Sequence, residues 1–234
     1  MIHLNFIFLL ILIGTFIRYL VYGEFDASSI VLASLFPITS VLMYITASYL
    51  AKKEQAYFPK YDDNWSFYVL QKLLHTPKPL FKGKEKKGVY KRYYVKGWHW
   101  LIDSLLEGKS PMYYSFYLTI DDHNYKVEWK RDKIFSNNDK WVIYKDGEYF
   151  GEAATDFRLK NAVQLKECIK AIFGMEELLV TSKTIKGEAV LHCNDKVVGT
   201  IKRSSLVSSS HIINIDENSD TYILVLVLFR MYYK

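Results

Sequence analysis

The chain has 234 residues, half of them hydrophobic and 16% aromatic, with 31 lysines and arginines against 25 aspartates and glutamates, a net charge of +6. That charge is local: residues 52–98 carry twelve basic and four acidic side chains, whereas the 136 residues that follow are nearly neutral. A basic stretch confined to one place, with no recognition motif, argues against nucleic acid as the partner.

Two apolar runs open the chain. Residues 4–22 contain Arg18 as their only formally charged side chain, and as a helix they rise about 28 Å, against a hydrocarbon core of about 30 Å. Residues 29–51 carry no formal charge and are again long enough to cross. The first run lacks the basic start of a signal peptide, and a second span follows at once. Arg18 lies near one end, where it can snorkel toward head groups. Pro37 predicts a kink in the second helix. The loop between the runs is acidic, with Glu24 and Asp26, while Lys52 and Lys53 follow the second run. The positive-inside rule therefore predicts a multi-pass cell-membrane protein with residues 52–234 in the cytoplasm. Cys168 and Cys193 then lie in a reducing compartment and are expected as free thiols, with no metal site.

Residues 52–90 read as a basic juxtamembrane linker. Within it Trp65, Tyr68, Val69 and Leu73 share one helical face, and Pro77 closes the segment, so a short amphipathic helix is expected. Lys82, Lys84, Lys86, Lys87, Lys91 and Arg92 form the densest basic run. Beside a bilayer such residues are each drawn to anionic lipid by about 1 kcal/mol. These six are the candidate lipid-binding residues. Further on, Trp98, Leu101, Ile102, Leu105 and Leu106 follow helical spacing up to Gly108. His99, between Trp98 and Trp100, reads as a packing residue.

From Met112 the pattern becomes that of strands. Tyr125, Val127 and Trp129 alternate with Lys126, Glu128 and Lys130. Residues 142–153 repeat at 190–201, each copy a strand, a tight turn at Asp146-Gly147 or Asn194-Asp195, and a strand carrying Gly151 or Gly199. Gly147 suits the positive φ of a hairpin turn, and the mid-strand glycines predict bulges or close packing. Such a sheet must close on itself or be covered at its edges. Residues 221–233 are apolar all round yet too short to span a bilayer; as a helix they require a surrounding wall, although periodicity alone also fits a buried strand, and Leu226 is an expected core position. Leu165, Cys168, Ile169, Ile172 and Phe173 also fit helical spacing.

The paired hairpins with their recurrent glycine, the Lys202-Arg203 that follows, and the apolar C-terminal helix together resemble the tubby C-terminal-like superfamily. This superfamily includes LURP-one-related proteins and phospholipid scramblases. The likeness covers roughly residues 91–234, and the chain looks like a bacterial, membrane-anchored member. The resemblance implies a closed antiparallel β-barrel around the C-terminal helix, so a hairpin turning at Gly174-Met175 replaces a helix there. It also implies lipid or membrane association without catalysis and without a cofactor.

Three functions follow. The first is a non-catalytic, membrane-anchored domain that binds lipid head groups or a partner protein at the inner membrane face. The second is a scramblase-like lipid transporter, for which Arg18 alone is a poor polar path. The third is an enzyme, although no nucleophile elbow, zinc-protease helix, phosphate loop or ordered Cys/His pair is present.

Overall fold

The computed structural model describes the chain except residues 1, 25, 60–63, 72–73, 106–112, 131–137, 156–166, 183–186, 205–208, 218 and 234. The first apolar run is α1 (Ile2–Tyr22); the second is α2 (Ala27–Ala33) followed directly by α3 (Leu35–Gln55). Asp26 caps α2 by accepting the Ser29 amide at 3.2 Å. The interruption falls at Ser34, one turn before Pro37. A proline ring presses on the carbonyl four residues back, here that of Ala33, where α2 stops. Both helical tracks are long and apolar enough to cross a membrane. They do not hide this surface: Leu20 is 66% and Val31 70% exposed, unlike the core helices of a soluble domain. Asn5 Nδ2 donates to Ser40 Oγ at 3.4 Å, tying α1 to α3.

Twelve strands then form a closed antiparallel barrel. They are β1 (Trp65–Tyr68), β2 (Lys78–Lys82), β3 (Glu85–Tyr93), β4 (Ser115–Ile120), β5 (His123–Lys130), β6 (Lys140–Lys145), β7 (Glu148–Thr155), β8 (Glu167–Phe173), β9 (Glu176–Ser182), β10 (Ala189–Cys193), β11 (Lys196–Arg203) and β12 (Ser210–Ile215). Each pairs with the next, and Trp65 opposite Ile213 closes β1 on β12, so no edge is left unpaired. A short helix, α4 (Gly97–Leu105), interrupts the circuit between β3 and β4.

The barrel therefore begins at Trp65, not at residue 91. Residues 65–90, read from the sequence as a linker with an amphipathic helix, contain the first two strands and most of the third. Trp65, Tyr68 and Val69 do fit a helix, but Trp65 and Phe67 also fit a strand. The second pattern prevails because β12 and β2 both need a neighbour: Phe67 sits opposite His211 on one side and Leu80 on the other. The helix expected at residues 98–106 is α4; its expected end at Leu106 and Gly108 lies outside the described residues. The segment around Gly174-Met175 is the β8–β9 hairpin and not the helix that its spacing also fits, because a helix there would open the wall.

The hairpin repeat has three copies. Gly88, Gly151 and Gly199 each sit four residues after a two-residue turn, at 83–84, 146–147 and 194–195, and each lies beside a register shift, opposite Leu80, Ile143 and Leu191. A Cβ on Gly88 would meet the Thr119 carbonyl oxygen at 2.4 Å, and one on Gly151 would meet that of Ile172 at 2.4 Å. The glycine lets the next strand close on the bulged one, tightening the curl a barrel needs.

The C-terminal helix, α5 (Asp220–Tyr232), threads the barrel. Leu224, Val225, Leu226 and Leu228 are each 0% exposed, so the helix is apolar all round because strands surround it. Its N-terminal Asp220 accepts the Tyr125 hydroxyl at 3.0 Å. At its other end the Tyr232 ring meets Trp141 edge-on, and Met231 borders a small cavity with Lys78 and Tyr90. Lys78 in turn contacts Glu54 of α3, so the C-terminal end of α5 is the end joined to the apolar helices.

Candidate functional site

The end of the barrel joined to α3 carries a layer of polar side chains on an apolar core. Strand alternation places them there. One step beyond Leu80, Tyr90, Ile169, Ile201 and Ile213, all in the core, come Lys78, Arg92, Glu167, Arg203 and His211. Arg230, on the last turn of α5, reaches the same layer and suits the negative end of the helix.

Most of these groups are paired. Glu54 is 0% exposed and Lys78 3%. The Glu54 carboxylate accepts from the Leu70 and Gln71 amides, the latter at 2.8 Å, from Gln71 Nε2 at 3.1 Å, and from Lys78 Nζ at 2.5 Å. Lys78 Nζ also donates to the Gln71 carbonyl at 2.7 Å. Burial pulls the Lys78 ammonium down from its ordinary range, and the Glu54 carboxylate pushes back. Arg92 Nη2 pairs with Asp103 of α4 at 3.1 Å, and its guanidinium lies over the rings of Tyr94 and Tyr114 at 4.9 and 5.1 Å. Burial opposes the Arg92 charge, but Tyr94, Asp103 and Tyr114 together outweigh it and raise its pKa. Asp139 accepts from Trp129 Nε1 at 2.8 Å and from the Tyr232 hydroxyl.

Arg203 and Arg230 are different. Arg230 is 5% exposed and donates from Nε to His211 Nδ1 at 3.2 Å, but its Nη2 has no hydrogen-bond partner. The buried Nε of Arg203, opposite His211 in the β11–β12 register, has none either. Among the described residues no carboxylate ion-pairs with either guanidinium. Burial lowers the pKa of Arg230, Arg203 lowers it further, and Glu167 opposes both. Burial also pushes the Glu167 carboxyl up to about 7.

The basic run of the sequence does not form one patch. Lys82 lies 6.0 Å from the Trp65 ring centre, and Lys84 sits in the β2–β3 turn. Four residues of strand, or about 13 Å, separate that turn from the Glu54 contact at Lys78. Lys86 is exposed, and Lys87 pairs with Glu85 at 3.2 Å and Asp121 at 3.7 Å. Lys91 faces outward in a row across four strands with Tyr117, Lys126 and Tyr144. Arg92, grouped with these lysines in the sequence, instead points to the barrel mouth and is engaged by Asp103, because strand alternation turns it opposite to Lys91.

Exposed aromatic rings lie at this same end. Trp98 and Trp100 on α4 are 49% and 47% exposed, and Phe58 just after α3 is 61% exposed. The α4 helix also packs against α1. Between the two tryptophans His99 is buried, its ring stacked 4.1 Å from that of Tyr113, which is the packing role its neighbours suggested. Among the described residues no group of His, Cys, Asp and Glu is arranged to hold a metal ion, and Cys168 and Cys193 are free thiols.

Sequence reasoning missed Glu54 and Lys78, whose neighbours in sequence carry no sign of the partner across the chain. Arg230 offered a signal, a lone cation in a helix otherwise apolar on every side. Arg203 entered only through the Lys202-Arg203 pair. No family model, curated protein or solved structure matches this chain.

Proposed function

We propose that this protein is a non-catalytic, membrane-anchored barrel that presents its α5 C-terminal mouth to lipid head groups at the cytoplasmic face. The observation carrying this reading is that Trp98 and Trp100 stand exposed on a helix packed against α1, at the barrel end joined to α3. Tryptophan favours the membrane–water boundary, where its ring is half dissolved in hydrocarbon and its N–H stays wet. The Glu54–Lys78 pair supports the same reading, since it couples the end of the second apolar helix rigidly to the first strands of the barrel. The resemblance to tubby-like and scramblase proteins points the same way.

The test is fluorescence of the full-length protein in nanodiscs containing brominated lipid. Trp65, Trp129 and Trp141 are buried, so quenching should come mainly from Trp98 and Trp100 and should vanish in the W98F/W100F double variant. Quenching that persists in that variant overturns the placement. Sidedness is tested in intact cells, where an impermeant thiol reagent should label a cysteine introduced by Ser28→Cys and leave Cys193 untouched. The opposite pattern overturns the cytoplasmic assignment.

A further inference from the structure

We infer that Arg203 and Arg230 form a binding site for a phosphate oxyanion at the mouth of the barrel. The argument starts from the cost of burying charge. A guanidinium removed from water without a partner is costly, and native structures pair such groups almost without exception. The mouth obeys that rule at two of its four inward cations. Lys78 has Glu54, and Arg92 has Asp103 and two tyrosine rings. Arg92 Nε, Arg203 Nε and Arg230 Nη2 are all buried without an acceptor, but only Arg203 and Arg230 also lack a carboxylate partner among the described residues.

The geometry holds both in place. His211 stands opposite Arg203 across the β11–β12 ladder and accepts from Arg230 Nε, so one imidazole links the two elements that carry the arginines. Its ring packs 5.0 Å from that of Phe67, which limits its movement. Because His211 Nδ1 accepts from Arg230, the imidazole is not doubly protonated there. Arg230 Nη2 and Arg203 Nε are left as buried donors, and the two charges lie near enough for Arg203 to act on Arg230. Two neighbouring guanidinium groups with N–H donors unspent suit a tetrahedral oxyanion, which offers several acceptors and a compensating charge. Glu167, on β8 at the same mouth, is the acid that opposes this positive field; its own desolvation favours the neutral form, leaving the pair undercompensated near neutral pH.

The chemistry is shared by a free phosphate and by the phosphomonoester head of an anionic lipid. The second source rests on the membrane-facing orientation proposed above; the first does not. Thermal unfolding of the full-length protein in non-ionic micelles separates them, with ionic strength held constant. The probes are inorganic phosphate, dioctanoyl phosphatidic acid and, as a control, dioctanoyl phosphatidylcholine.

Saturating ligand should raise the wild-type melting temperature by about 5 °C or more. The shift should be lost in Arg203→Gln and in Arg230→Met, neither of which should melt lower than wild type without ligand. A shift with both phosphate and phosphatidic acid identifies a general phosphate site. A shift with phosphatidic acid alone identifies the lipid head group. No shift with either overturns the site, as does an equal shift in Arg203→Gln or a shift that phosphatidylcholine reproduces. Arg203 is only partly buried, so its variant keeps the test decisive if Arg230→Met fails to fold. Micelles need no bilayer geometry, so a negative result here leaves the tryptophan-quenching test of membrane placement standing on its own.

Discussion

Glu54, in the last turn of α3, and Lys78, the first residue of β2, form an ion pair that solvent does not reach from either side. Taking both charges out of water costs several kcal/mol per ion, and the pair recovers that cost only through good geometry and saturated hydrogen bonds. Glu54 meets the condition with donors from Leu70, Gln71 and Lys78. The pair thus welds a helix of membrane-spanning length to the wall of the barrel.

Removing one partner should be far worse than removing both. Glu54→Ala leaves an ammonium buried without its counter-ion and should destabilise the barrel by about 3–5 kcal/mol. The double variant Glu54→Leu/Lys78→Met should regain most of that loss. Chemical denaturation of the full-length protein in micelles measures both, and equal stability of Glu54→Ala and wild type would contradict the clamp.

The three glycines of the hairpin repeat should not tolerate alanine equally. Gly88 and Gly151 would each bring a Cβ within 2.4 Å of a backbone oxygen, whereas at Gly199 the Asn214 oxygen lies at 3.0 Å and the other close atom is a methyl of Ile215. Backbone cannot give way as a side chain can, and overpacking costs about 1–3 kcal/mol. Gly88→Ala and Gly151→Ala should therefore lower the melting temperature more than Gly199→Ala.

Leu226 is 0% exposed at the centre of the threaded helix. Leu226→Ala should cost about 2–5 kcal/mol through the cavity it leaves. Leu226→Asp should prevent folding outright, because it would strand a carboxylate in the apolar core cluster. Far-ultraviolet circular dichroism and size-exclusion profiles of the purified variants report the outcome. A well-folded Leu226→Asp protein would rule out the enclosed helix.

Two groups at the mouth titrate in opposite senses. Burial, aided by Arg92, lowers His75 from 6.5 to about 4, so the folded protein takes up fewer protons than the unfolded chain between those values. Stability from this group is lost as pH falls from about 6.5 to about 4. Burial raises Glu167 from 4.5 to about 7, with Arg230 opposing, so the folded protein there holds more protons. Stability is lost as pH rises from about 4.5 to about 7. In melting curves against pH, His75→Gln should flatten the acid limb, and Glu167→Gln should remove the decline toward neutrality. Opposite signs for either variant would refute the assignment of that group.

Local pattern determined much of this protein. The two apolar runs, the alternating strands at 115–130, the Asp146-Gly147 and Asn194-Asp195 hairpins and the apolar final segment were each legible, because length, alternation and turn chemistry act within a few residues, whereas residues 165–173 fitted helical spacing until the resemblance made them a hairpin. Closure into a barrel was implied by the resemblance, for local pattern alone left the sheet either to close on itself or to be covered at its edges. What tertiary structure alone decided lay where two periods fit equally well or where partners are distant in sequence. Residues 65–68 became a strand because β12 and β2 both lacked a neighbour, a demand that arises only when the circuit closes. Arg92 left the basic run for Asp103 because strand alternation turns it opposite to Lys91, toward α4. The Glu54–Lys78 pair, and Arg203 and Arg230 with no carboxylate ion-paired to them among the described residues, exist only once the ends of the strands are gathered at one mouth, for charge complementarity there depends on distance in space and not on order along the chain.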